Sequence, residues 1–162
     1  MRFGLPFAFA ALLGVQSALV LAASYEVNLT RKSSNVYKVD GKDIIIQTRY
    51  CYTYAYSEEA IFKQSGYGGE VIFLDSKDKC DVKAAFGVSK QKPGKFVVTV
   101  SHEDDDWYEV FGTNSYIKTS GCLSLALGEE AYLTITPSAF GNLRFKDGDT
   151  CMVDGIYTKL RF

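Results

Sequence analysis

Residues 51–60 read Cys51-Tyr52-Thr53-Tyr54-Ala55-Tyr56-Ser57-Glu58-Glu59-Ala60, and residues 122–131 read Cys122-Leu123-Ser124-Leu125-Ala126-Leu127-Gly128-Glu129-Glu130-Ala131. One motif is written twice, 71 positions apart. The same offset carries outward without a gap: Tyr37, Val39 and Gly41 meet Tyr108, Val110 and Gly112, and Asp78, Cys80 and Val82 meet Asp149, Cys151 and Val153. About a dozen identities in some fifty positions, against roughly three by chance, mark a duplication. The expected organisation is one module at residues 25–95 and a second copy at residues 96–162.

Each copy consists of short runs of β-branched and aromatic residues, such as Tyr25 to Thr30, Ile44 to Thr48, Cys51 to Tyr56 and Val71 to Leu74. No stretch holds a helical period for three turns. Asp40-Gly41, Tyr67-Gly68-Gly69, Pro93-Gly94 and Asp147-Gly148 supply the backbone conformations that tight turns require. The expected fold class is all-β: two tandem homologous antiparallel β modules of small sandwich or barrel type. Separate units or two halves of one pseudo-symmetric fold both fit the pattern.

Cys51 and Cys80 are 29 residues apart, and so are Cys122 and Cys151. The matched spacing points to one disulfide inside each module, and closing a loop of that size contributes roughly 3–4 kcal/mol in the chain-entropy model. Pairing Cys51 with Cys122 and Cys80 with Cys151 also respects the repeat. Metal and redox roles want the closely spaced C-x-x-C that this chain lacks, so no metal and no cofactor is expected.

Arg2 and the apolar run from Phe3 to Leu21, ending at Ala22-Ala23, read as a secretory signal peptide over residues 1–23. No later segment has the length and apolarity of a membrane-spanning helix, so no membrane span is expected after cleavage. The expected location is secreted or periplasmic, where disulfides persist. The chain has 162 residues, 47% hydrophobic and 23% charged, with a net charge of −1. That balance speaks against disorder and against nucleic acid as a partner.

The candidate chemistry is sparse. His102, the only His, has no Gly-x-Ser-x-Gly elbow to present a nucleophile, and Glu103, Asp104, Asp105 and Asp106 lack the spacing of a calcium loop. Neighbouring carboxylates on a strand point to opposite faces, so Glu58-Glu59 and Glu129-Glu130 could serve glycoside hydrolysis only by pairing across the copies. The loop carrying Arg31 and Lys32 is basic in one copy, and its counterpart, Glu103 to Asp106, is acidic in the other. Such divergence suits two partners, or charge pairing between modules or chains.

Tyr50, Tyr52, Tyr54 and Tyr56 alternate along one expected strand and share a face. Leu123, Leu125 and Leu127 stand at the equivalent positions, as on a buried face, so this face is expected in a core or between modules. A platform built on Tyr52 and Tyr54 is the alternative. The expected function is a secreted or periplasmic non-enzymatic binding protein whose partner is another protein, of inhibitor or immunity type in a bacterium. Its expected contacts are Arg31, Lys32, Glu103, Asp104, Asp105 and Asp106, with Trp107, Tyr52 and Tyr54 as anchors. The alternatives are glycan binding, an envelope hydrolase using carboxylates from both repeats, and a structural β protein of the envelope.

Overall fold

The computed structural model describes residues 23–104, 106–138 and 140–161. Of the expected leader only Ala23 falls among them, and it opens the first strand; residues 1–22 lie outside the described residues, as does Asp105. The described residues form twelve strands and no helix. They are β1 (Ala23–Ser33), β2 (Val36–Val39), β3 (Ile44–Arg49), β4 (Glu58–Ser65), β5 (Gly68–Phe73), β6 (Lys79–Val88), β7 (Gly94–His102), β8 (Trp107–Val110), β9 (Ser115–Ser120), β10 (Glu129–Ile135), β11 (Gly141–Phe145) and β12 (Thr150–Lys159).

Strands β1–β2–β3 and β4–β5–β6 are antiparallel meanders, and the pairings β1–β4 and β3–β6 close them into a six-stranded ring. Strands β7 to β12 close a second ring through the same set of pairings. Closure pairs the edges that would otherwise be exposed to other chains, and it leaves an interior just wide enough for side chains. Alternation decides which residues fill it: in β4, Ala60, Phe62 and Gln64 are buried while Glu59, Lys63 and Ser65 are exposed. Leu29, Tyr37, Ile46, Val71 and Phe73 fill the first barrel, and Val100, Tyr108, Ile117, Leu143 and Phe145 the second. The disulfides are Cys51–Cys80 and Cys122–Cys151, one in each ring.

The gapless 71-residue register fails at one hairpin. Ala60 pairs with Phe73, whereas Ala131 pairs with Phe145 rather than with Arg144, so β11 has slipped by one residue. Side chains alternate with period two, and an unslipped β11 would turn Arg144 inward and Leu143 and Phe145 outward. The following turn restores the offset. Phe73 N–H bonds to the carbonyl of Asp78 and Phe145 N–H to that of Asp149, which makes the second turn one residue shorter.

The rings meet where β6 pairs with β12, through Phe86 with Lys159, Gly87 with Thr158 and Val88 with Tyr157. Over this join lies a third core of Ala84, Phe86, Trp107, Tyr116 and Tyr157. Trp107 is stacked on Phe86 with centroids 4.7 Å apart and meets Tyr157 edge-on at 5.0 Å. Trp107 is therefore not a surface anchor. It is buried between the barrels, because at the start of β8 it faces out of its own ring and onto β6 of the other.

Candidate functional site

Between β3 and β4, residues 50–57 cross one mouth of the first barrel as an extended strap that joins no sheet; residues 121–128 do the same for the second barrel. Both ends of each strap are in the left-handed region. Tyr50 and Ser57 each have φ of 51°, and their counterparts Gly121 and Gly128 have φ of 64° and 65°. Glycine takes this conformation at no steric cost, whereas tyrosine and serine hold it only where their surroundings require it.

Equivalent bonds hold both straps down. Tyr37 Oη donates to the carbonyl of Thr53 at 2.7 Å, and Tyr108 Oη to that of Ser124 at 2.5 Å. Arg31 N–H donates to the carbonyl of Ala55, as His102 N–H does to Ala126, and Thr30 Oγ1 and Ser101 Oγ accept from the amides of Ser57 and Gly128. Burial pushes the Tyr37 hydroxyl up from its ordinary range and that of Tyr108 up to about 12, with Asp106 and Asp149 adding to the second. Both phenols thus remain protonated donors across the ordinary pH range.

The disulfide sets which way the strap faces. Cys51 must point into the barrel to reach Cys80 on β6, and the alternation then turns Thr53 and Ala55 inward as well. Tyr50, Tyr52, Tyr54 and Tyr56 consequently point outward, as do Leu123, Leu125 and Leu127; all seven are between 79% and 91% exposed. The expectation that this row packs in a core or between modules is overturned, and residues 51–55 are not a strand. The signal was present in the inward set, Cys-x-Thr-x-Ala and Cys-x-Ser-x-Ala, whose small side chains suit the crowded mouth of a six-stranded barrel.

Arg31 and Lys32 lie at the end of β1 and, with Ser33, Ser34 and Tyr54, line a depression of about 230 Å³. The tyrosine row and the basic pair therefore form one face. The acidic counterpart is engaged elsewhere. Lys83 on β6 of the first barrel lies 3.7 Å from Glu103 and 3.3 Å from Asp104, and Lys118 lies 3.3 Å from Asp106. Glu103 and Asp104 thus brace the join between the barrels, whereas Asp106 is held within its own barrel; the charge pairing between modules runs through Lys83 rather than through Arg31 and Lys32.

The glutamate doublets do not converge. Glu58 Oε1 accepts the amide of Ser76, and Glu130 pairs with Lys146 at 3.0 Å. Strands β4 and β10 belong to different rings and make no contact with each other. His102 meets the ring of Tyr108 edge-on at 5.3 Å. Among the described residues, no three of the types His, Cys, Asp and Glu cluster closely enough to hold a metal ion, and no helix is long and apolar enough to cross a membrane. No family model, curated protein or solved structure matches the chain.

Proposed function

We propose that this chain is a secreted or periplasmic, non-enzymatic binding protein whose tyrosine strap, flanked by Arg31 and Lys32, docks onto another protein. The observation that carries the reading is the exposure of four tyrosines on a backbone pinned by a disulfide, a buried phenol and two left-handed ends. Tyrosine offers a large contact area at low entropic cost, and tyrosine and arginine are the side chains that interfaces favour. Because the strap is already ordered, docking would fix little more than side-chain rotamers. The adjacent basic pair favours a partner that is acidic around an apolar centre. Two disulfides are compatible with an oxidising compartment.

The alternatives find less support. A hydrolase built on both glutamate doublets lacks a shared cleft, since β4 and β10 are apart. A membrane barrel would turn apolar residues outward around a polar lumen, whereas both interiors here are packed mainly with apolar side chains and β4 and β11 carry Lys63 and Arg144 on their outer faces. The test is affinity capture from the native extracellular or envelope fluid, with the oxidised chain and its Tyr52→Ala/Tyr54→Ala variant as parallel baits. A protein retained by the first and reduced at least tenfold on the second supports the proposal. Equal retention on both baits would refute it, and a glycan retained in place of a protein would reassign the strap to carbohydrate.

A further inference from the structure

We infer that the second barrel carries, at the mouth opposite its strap, a binding site for a small uncharged molecule with an apolar body and one polar end. At that mouth is a cavity of about 210 Å³ with a floor of Val98, Ile117, Leu133, Ile135 and Ile156. Gln91, Thr113 and Ser115 provide the polar positions in its lining. Since a cavity of ~150 Å³ lined by aliphatic and aromatic side chains takes benzene, this space suits a single substituted ring or an aliphatic chain of similar volume.

Comparison of the two copies shows which side chains leave the space open. The residues of the first barrel equivalent to Leu133 and Ser115 are Phe62 and Ile44. Phe62 is buried there, with its ring 6.2 Å from that of Tyr25, and Ile44 packs against the same core. The smaller side chains at both positions leave the second barrel more open from within, although Ile156 in place of Ala85 takes up part of the volume. A third exchange makes the space apolar: buried Gln64, whose Nε2 donates to the carbonyl of Gly66, is replaced by Ile135. The floor therefore offers a ligand no polar side chain, and the ligand's one polar group belongs at the lip. A second depression, of about 200 Å³, shares Gln91, Ile135 and Ile156 with the first and leaves room for a chain longer than one ring.

The site is separate from the tyrosine strap, so either proposal can fail alone. The test is a titration of the oxidised, methyl-labelled chain with p-cresol and, separately, with 1-hexanol, followed by methyl NMR. The expected result is a saturable shift of the Ile117, Leu133, Ile135 and Ile156 methyls with at least one probe; which probe saturates distinguishes ring from chain. The Ser115→Ile/Leu133→Phe variant restores the residues of the first barrel and should weaken binding at least tenfold, while Leu133→Phe alone serves if the double variant does not fold. Three outcomes would overturn the inference: no saturation with either probe, undiminished binding by a folded filled variant, or shifts confined to Leu123, Leu125 and Leu127.

Discussion

Replacing Trp107 with alanine is the most direct test of how the two barrels are held together. The change removes a side chain that is 1% exposed, together with its stack on Phe86 and its edge contact with Tyr157. A buried Trp→Ala substitution costs about 3–5 kcal/mol. What remains at the join is three residue pairs between β6 and β12, the edge contact of Phe86 with Tyr116, the cations of Lys159 and Arg161 over the ring of Tyr67, and ion pairs from Lys83 to half-exposed carboxylates that contribute at most about 1 kcal/mol each. The loss should therefore appear first as uncoupling of the barrels. The reporters are the amides of Ser89 and Leu160, which donate across the join to the carbonyls of Ile156 and Ala85. Their hydrogen exchange should accelerate by about a hundredfold or more, since 1.4 kcal/mol corresponds to a factor of ten. Trp107→Phe keeps a ring against Phe86 and removes an indole N–H that has no hydrogen-bond partner among the described residues, so it should cost less than half as much. Exchange at Ser89 and Leu160 within threefold of wild type in Trp107→Ala would show that the aromatic cluster does not hold the barrels together.

Two further outcomes follow from the buried phenols. Tyr108→Phe leaves the carbonyl of Ser124 without its donor and should loosen the second strap by about 1–3 kcal/mol; faster exchange at the amides of His102 and Gly128 would show it, with the first strap unaffected. Burial raises the hydroxyls of Tyr108 and Tyr116 to about 12, and Glu109 adds to the shift at Tyr116. Below pH 10 these phenols are protonated in both folded and unfolded chains and stability is indifferent to them. Between pH 10 and 12 the unfolded chain releases these protons and the folded chain keeps them, so the urea midpoint should fall as pH rises; a flat midpoint across that window would contradict the burial argument.

The matched cysteines, the turn residues and the alternating runs made the two disulfides and the antiparallel β class legible. These are local or covalent properties, and duplication displays each of them twice. The outward direction of the tyrosine row is not legible in the sequence, because Leu123, Leu125 and Leu127 look like core residues and hydropathy alone favours burying them. The decisive constraint was Cys51, whose bond to Cys80 turns one side of the alternation inward and leaves the other in water. The burial of Trp107 is hidden in the sequence for a related reason. It stands in an acidic loop sequence, but burial depends on the neighbouring barrel, and no local pattern records the approach of Phe86.

That one β unit with two cysteines occurs twice is written in the amino-acid order, because identities at a constant offset and equal cysteine spacings survive divergence. The folded chain adds that each unit closes on itself with its own disulfide, that β11 slips by one residue to keep Arg144 out of the core, and that the straps face solvent. It also decided that the acidic loop braces the join between the barrels instead of standing free. Strand pairing and side-chain direction have a period of two, which sorts residues into two faces without saying which face is inside. Only ring closure and contact with the second barrel resolve that choice.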